Sequence, residues 1–461
     1  MKLLTIFVPI KIFFYVQFFG CNFLLRQIPY IGLFFWPLEL FALPRIMDSK
    51  GVRFRKLLAH LGPTFIKFGQ LLSARSDIVG DKLSCELSFL QDKLPSFSYR
   101  KVCHIIKKET GSTIESNFSY FAKEPVAAAS IAQVHKAKTM LGDDVAVKIL
   151  RPSIKKKFLS EVRLLYYMAI ILNCFQRLKR LKLLEVVKLF EQTVEKELNL
   201  CFEAAQSSKL AENLHTNKNI IIPQIYWELT SEKVMVSRWV EGVKINQLQG
   251  KKEDLKMLGD NLVLCYYEQA YRDGYFHADM HPGNILITAD YKIALIDFGI
   301  MGYLAKKDRI AVAQIVYGFI KRDYDLVAKI HKMAGYIPKA ANITEFSLAC
   351  RAIGEPIFGK NAKDISISKL MTQLFIITEK FGMQTQPQLL LLQKTLLLIE
   401  GVGLTLNPEL NMWSLGEPFM TKWAKDNLSH KAIATDKLSE LGEILIDLPE
   451  IIKKLKLKLD V

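Results

Sequence analysis

Lys148, Asp279, Asn284 and Asp297 are the residues of this chain whose types and spacing could do chemistry together. Asp279 and Asn284 stand five apart in His277-Ala278-Asp279-Met280-His281-Pro282-Gly283-Asn284, and Asp297 follows thirteen residues later within Leu295-Ile296-Asp297-Phe298-Gly299. Lys148 lies upstream, at the end of Val145-Ala146-Val147-Lys148. Phosphoryl transfer needs these residue types. A lysine neutralises phosphate oxygens, an acid and an asparagine hold Mg2+, and a second carboxylate orients or deprotonates the acceptor. An Asp-to-Asn gap of five followed by Asp-Phe-Gly is the spacing of a kinase catalytic loop. Each piece alone is common, but their order and separations together are specific. His277 and His281 lie four apart, a helical metal-ligand spacing, yet Pro282 and Gly283 predict a loop there, so no histidine–metal site is expected.

A loop covering the phosphates is expected before Lys148. The residues in its place are Val126, Ala127, Ala128, Ala129, Ser130, Ile131, Ala132, Gln133 and Val134. Protein kinases carry glycines here, so that backbone can approach phosphates closely. Alanine adds a Cβ and restricts φ, which predicts a stiffer loop and weighs against a protein acceptor. No G-x-x-x-x-G-K-[ST] occurs, which excludes a P-loop ATPase as the main reading. Gly401-Val402-Gly403 comes nearest to a dinucleotide-binding glycine pattern. It lacks the third glycine and sits among helical residues, which argues against a flavin or nicotinamide enzyme.

These residues need elements to hold them. Residues 46–120 show apolar positions three and four apart and are expected to be helical. Val145, Val147 and Ile149 alternate with Ala146, Lys148 and Leu150 as strand residues do, and Asp143-Asp144 predicts a turn before them. Residues 154–215 return to helical periodicity, Val234–Val240 is a short strand-like run, and the chain beyond Leu255 is mostly helical. Two apolar runs within Asn284–Ile300 flank a turn at Ala289-Asp290-Tyr291. A small strand-containing unit ahead of a larger helical one predicts an α+β, bilobal protein-kinase-like fold. The expected divisions are a hydrophobic membrane-associating segment over 1–45, a helical extension over 46–120, a small lobe over 121–245 and a large helical lobe over 246–461.

The chain has 461 residues, half of them hydrophobic, and a formal net charge of +17. That composition is that of a folded protein, and the charge suits an anionic membrane leaflet or nucleic acid. No zinc-finger spacing or RNP-type aromatic motif accompanies it, so membrane is favoured and no nucleic-acid partner is expected. Seven scattered cysteines without a C-x-x-C indicate a reducing compartment. The uncharged runs between Lys11 and Leu38 are each shorter than the ~20 apolar residues of a spanning helix. They are expected to lie in the membrane interface or against other helices. The lysine-rich end, Glu450 to Val461, is not expected to be an anchor.

With these motifs in place, the chain resembles the UbiB/ADCK family of atypical kinases, and most closely its bacterial ubiquinone-biosynthesis branch. The resemblance runs from about Leu61 to Trp413. It rests on Lys67-Phe68-Gly69-Gln70 (the family's K-x-G-Q motif), the Ala-rich loop, the His277–Asn284 stretch and the segment from Gln388 to Leu404. It implies a nucleotide-binding fold over which an N-terminal helical extension folds, with ATP and Mg2+ as cofactors. It implies that Lys148 contacts phosphate, that Glu203 is its ion-pair partner, that Asp279 stands at the catalytic-base position, and that Asn284 and Asp297 bind the metal. It places Lys67 and Gln70 in the cleft, with Glu197 able to pair with Lys67. It further implies an ATPase or small-molecule kinase at the inner (cytoplasmic) membrane, with its catalytic lobes on the cytoplasmic side, peripheral or held by the N-terminus. Its partners would be a membrane lipid or quinone precursor and proteins of quinone biosynthesis. The main alternative is a non-catalytic, nucleotide-switched lipid-binding or chaperone module, and the lesser one is a direct polyprenylphenol hydroxylase. One departure stands out: where the family usually has aspartate, this chain has Asn199.

Overall fold

The computed structural model describes residues 15–16, 18–21, 48–73, 79–90, 95–173, 182–358, 367–382 and 386–428. Most of the hydrophobic segment 1–45 and the lysine-rich C-terminus lie outside them, together with the expectations placed on those stretches. The chain divides into two compact units. One comprises residues 1–249, 277–301 and 385–395; the other comprises 250–276, 302–384 and 396–461. Every residue of the predicted site belongs to the first unit.

The first unit opens with helices α1 (Lys50–Leu61), α2 (Pro63–Ser73) and α3 (Asp81–Ser88). Ser49 caps α1 by accepting from the Val52 amide, as a serine before an apolar-periodic run should. Gly62 separates α1 from α2 at φ 115°, backbone that L side chains rarely adopt. The three helices pack with α6 (Ile154–Asn173) and α7 (Leu183–Glu197) around Leu57, Leu58, Phe65, Phe158 and Phe190. Of the N-terminal segment, Val16, Phe19 and Cys21 are buried in this same core. Phe19 lies 4.8 Å from the His60 ring, and Arg53 donates to the Gly20 carbonyl at 2.7 Å.

Helix α4 (Tyr99–Thr110) and the one-turn α5 (Ile114–Asn117) lead into an antiparallel sheet. Its strands are β1 (Phe118–Phe121), β2 (Ala127–Ala128), β3 (Ala132–Thr139), β4 (Asp144–Leu150) and β6 (Val234–Arg238). They are ordered β1-β3-β4-β6, with β2 paired to β3. The alternation expected of β4 is realised. Val145, Val147 and Ile149 are fully buried against Val102, Ile105 and Ile106 of α4, and Lys148 therefore points to the opposite face. The turn between β3 and β4 is centred on Gly142 at φ 94°; Asp143 closes it and Asp144 already belongs to β4. Helix α8 (Leu200–Asn213) packs against this sheet, and a smaller sheet, edged by β5 (Ile220–Ile221) and β7 (Val243–Lys244), follows in the order β5-β10-β9-β7. Its strands β9 (Ile285–Ile287) and β10 (Ile293–Leu295) are the two apolar runs expected on either side of the Ala289–Tyr291 turn.

The second unit is predominantly helical: α9 (Lys252–Tyr267), α10 (Lys306–Ile320), α11 (Tyr324–Met333), α12 (Ile343–Phe358), α13 (Ile367–Lys380) and α15 (Met412–Leu428). Tyr266, Tyr267 and Tyr271 form an aromatic cluster where α9 runs into a π-helical turn, Glu268–Asp273. Helix α14 (Pro387–Leu406) belongs to the first unit up to Thr395 and to the second from Leu396. It is long and apolar enough to cross a membrane by length and composition alone, and half of that apolar window is buried.

Candidate nucleotide site

Lys148 is the hub of the site. Its Nζ lies 2.6 Å from Glu203 Oε1 and 3.1 Å from Asp297 Oδ1. Strand β4 supplies the lysine, the first turn of α8 supplies Glu203, and the loop after β10 supplies Asp297. Three stretches far apart in sequence thus meet at one ammonium. Glu203 is buried, with its side chain 4% exposed, while Asp297 is 53% exposed and open to a ligand. Burial disfavours the charge on Lys148, but the Asp297 and Glu203 carboxylates outweigh it and raise its pKa above the ordinary lysine range. Lys148, aided by Lys67, holds the Asp297 carboxyl well below the usual carboxylate range. For Glu203, burial pushes the pKa up and Lys148 offsets part of that rise. Asp297 adopts φ 61°, a left-handed conformation uncommon outside glycine and of the kind found at ligand-binding centres.

The predicted loop is a loop. Its segment Pro282–Asn284 is a single 3-10 turn, with His281 Nδ1 accepting from the Gly283 amide. The Asn284 side-chain amide donates to the Asp279 backbone carbonyl at 3.0 Å and to Asp279 Oδ2 at 3.3 Å. Asn284 is therefore oriented by Asp279, and its amide oxygen remains an acceptor suited to a cation. His277, fully buried, accepts from the Asp279 amide through Nδ1 and donates through Nε2 to the Ile296 carbonyl. Burial keeps this ring neutral by lowering its pKa. It tethers the Asp279 loop to the Asp297 loop, and the Ala278 amide reinforces the link by donating to the Ile300 carbonyl. The histidine weighed as a metal ligand is thus a structural strut.

The Ala-rich stretch is a tight hairpin. Ala127 and Ala128 pair with Val134 and Gln133, Val126 donates to the Val134 carbonyl, and Ala129 donates to the Ala132 carbonyl at 2.8 Å. Ser130 and Ile131 form its tip. A side chain the sequence did not single out holds the tip: Arg151 donates from Nε and Nη2 to the Ala129 carbonyl at 3.0 and 2.8 Å. Its own amide donates to the Ile131 carbonyl. Gln133 exchanges hydrogen bonds with the Phe97 backbone and contacts His135. The stiffness expected from the alanine Cβ atoms is thus accompanied by an arginine clamp.

In the helical extension, Lys67 Nζ lies 3.0 Å from Glu197 Oε2, both largely buried. Gln70 has a different partner, the Leu90 carbonyl at 3.3 Å. The two residues share α2, but the structure does not bring them to one partner. Gly69 between them is dictated by packing: a Cβ there would lie 2.3 Å from Leu90 Cδ1 and 2.7 Å from Leu58 Cδ1. Asn199 caps α8, accepting from the Cys201 amide at 3.0 Å and the Phe202 amide at 3.4 Å. It therefore sets the start of the helix that carries Glu203.

Lys394 was also missed by sequence reasoning. It lies on α14, with its Nζ 3.7 Å from Asp279 Oδ1. Its neighbour Thr395, whose hydroxyl bonds Leu391 at 2.8 Å, also approaches the Ala278 carbonyl at 3.3 Å. A lysine in an apolar helix carried no signal of its partner, because nothing in the spacing links it to residue 279.

The arrangement fits a nucleotide with Mg2+. Asp297 and the Asn284 oxygen are hard oxygen donors of the kind Mg2+ takes. Lys148 offers an ammonium for phosphate oxygens, and the buried Ser130 hydroxyl has no partner among the described residues and stands in the hairpin expected over the phosphates.

A family model for the ABC1 atypical kinase-like domain matches residues 89–331, more than half of the chain. The chain belongs to this family of atypical kinases. A second model, for the UbiB helical domain, matches residues 350–411. This UbiB-family chain is 39% identical over 408 residues to the "Probable protein kinase UbiB" of Azotobacter vinelandii, covering 87% of the chain and 76% of that relative. It is 39% identical over 407 residues to the protein of that name from Pseudomonas putida strain F1, covering 86% of the chain and 75% of the relative. The fold is that of the Mycobacterium tuberculosis protein in the solved Rv3197–erythromycin complex. The TM-score is 0.51 at 22% identity, covering 76% of this chain and 90% of that one. The kinase-like fold expected from the sequence is therefore the fold of this UbiB-family protein, and its helical domain contains Lys394.

Proposed function

We propose that this UbiB-family chain is an ATP- and Mg2+-dependent enzyme, an atypical kinase or ATPase, that supports ubiquinone biosynthesis at the inner membrane. One observation carries the reading. Lys148 pairs at once with Glu203 and Asp297, beside an Asp279–Asn284 loop tied to the same segment. This is the set that phosphoryl transfer requires, and a degenerate site would have lost one of its members.

The roles follow from position. Lys148 neutralises phosphate oxygens and is itself oriented by Glu203. Asp297 and Asn284 hold the metal, and Asp279 orients or deprotonates the acceptor. Bound with Mg2+, ATP supplies the phosphoryl group. The clamped hairpin and the Lys67–Glu197 pair make a restricted site, which favours water or a small lipid-like acceptor such as a quinone precursor over a protein chain. The net charge of +17 and the apolar N-terminus support work at an anionic leaflet. Gly401 and Gly403 lie inside α14 rather than after a strand, which leaves the hydroxylase reading without a cofactor turn.

Thermal unfolding with and without Mg-ATP, followed by phosphate release with anionic vesicles and a phenolic quinone precursor, tests the proposal. Wild type should be stabilised by Mg-ATP and turn over; Lys148→Ala should lose the stabilisation and Asp297→Asn the turnover. Binding without turnover under every condition would favour a nucleotide-switched lipid-binding module. An equal thermal shift in wild type and Lys148→Ala would sink both readings.

A further inference from the structure

We propose that Lys394, supplied by the UbiB helical domain, is the positioning residue for Asp279. The inference rests on the reading of Asp279 as the acceptor-orienting carboxylate. The loop that carries Asp279 runs Met280-His281-Pro282-Gly283 to Asn284 and contains no lysine or arginine. A carboxylate beside a phosphate-binding centre stands among negative charge, so a nearby cation is needed to hold it in place. A cation within reach comes from α14, distant in sequence but in the same compact unit. Lys394 Nζ is 3.7 Å from Asp279 Oδ1, with the side chains 36% and 34% exposed. The pair is therefore accessible from solvent and not sealed in the core.

Two further contacts show that the approach is built. Thr395, next in the helix and fully buried, bonds Leu391 within the helix at 2.8 Å and brings the same hydroxyl to 3.3 Å from the carbonyl of Ala278, the residue before Asp279. On the other side, Asn284 donates to the Asp279 carbonyl and to Oδ2, leaving Oδ1 to the lysine. Asp279 is thus gripped from its own loop through one oxygen and from α14 through the other. The first half of α14 is then part of the site and not an accessory to it.

Two measurements on the full chain test this. In steady-state Mg-ATP hydrolysis, Lys394→Met should lower kcat about tenfold or more with KM for ATP within about twofold, and Lys394→Arg should retain most of kcat. The pairing itself is read without nucleotide. At low salt Lys394→Met should lower the thermal midpoint by about 1–2 °C, and should have no effect in an Asp279→Asn background. An equal fall in both backgrounds overturns the assignment, as does an unchanged kcat. A wild type that hydrolyses no ATP defeats the ATPase reading instead, and the thermal cycle alone then decides Lys394.

Discussion

At the scale of single residues, the chemistry of the site is dominated by Lys148 and its two carboxylate partners, Glu203 and Asp297. Glu203 is nearly inaccessible, so its charge is tolerated only because Lys148 is 2.6 Å away. Breaking a buried pair by removing one partner costs about 3–5 kcal/mol, whereas replacing both with apolar groups is often close to neutral. Lys148→Met should therefore destabilise the chain by about that amount in urea titration, and Lys148→Met with Glu203→Leu should recover a large part of the loss. A double variant no more stable than the single one would mean that Glu203 is not held by Lys148. Asp297 gives a pH prediction of definite sign. Its pKa is lower in the folded state than in the unfolded one. Its contribution is thus present above the ordinary carboxylate pKa of about 3.9 and is lost as pH falls below it. The difference in thermal midpoint between wild type and Asp297→Asn should shrink as pH is lowered from 5 towards 2. A difference independent of pH over that window would contradict the ion pair.

At the scale of elements, two short-range devices hold the site. Asn199 caps α8, and asparagine and aspartate are nearly equal at this position. Asn199→Ala should cost about 1 kcal/mol in urea unfolding and Asn199→Asp almost nothing. A large effect of the aspartate would show a charge-dependent role beyond capping. Asn199 thus supplies by itself the hydrogen bonds to the helix start that an aspartate would also be able to accept. The second device is the Arg151 clamp on the Ala129 carbonyl. Removing it strands a carbonyl that received two hydrogen bonds, each contributing about 1 kcal/mol. Arg151→Ala should therefore speed amide exchange at Ala129 about tenfold or more. Unchanged protection there would assign the stiffness of the hairpin to the alanines alone.

At the scale of the whole molecule, the +17 charge and the apolar N-terminal residues both favour a membrane surface, and salt and lipid charge separate their contributions. Attraction of surface charge to an anionic leaflet is screened within about 8 Å at physiological salt. The full chain should therefore co-sediment with vesicles containing anionic lipid at low salt, and lose most of that binding by about 0.5 M salt. Equal binding to neutral vesicles would leave insertion of apolar residues as the cause. Val16, Phe19 and Cys21 already pack on the chain's own core, so those three side chains are not available for insertion.

Sequence by itself determined the ingredients that depend on local order. The five-residue gap from Asp279 to Asn284, the alternation that turns Lys148 away from Val147, and the paired apolar runs around Tyr291 are all properties of short stretches. Backbone periodicity and turn chemistry act over such distances, so the kinase-like fold was legible there. Tertiary structure alone decided the partners. The Glu203 and Asp297 contacts join positions 55 and 149 residues from Lys148, and the resemblance supplied the first of them. It could not show that Gln70 turns to Leu90, that Arg151 closes the hairpin, or that Lys394 reaches Asp279. Those contacts arise where helices and loops distant in sequence are packed side by side. No spacing rule encodes them, because packing and charge, not sequence distance, choose the neighbour.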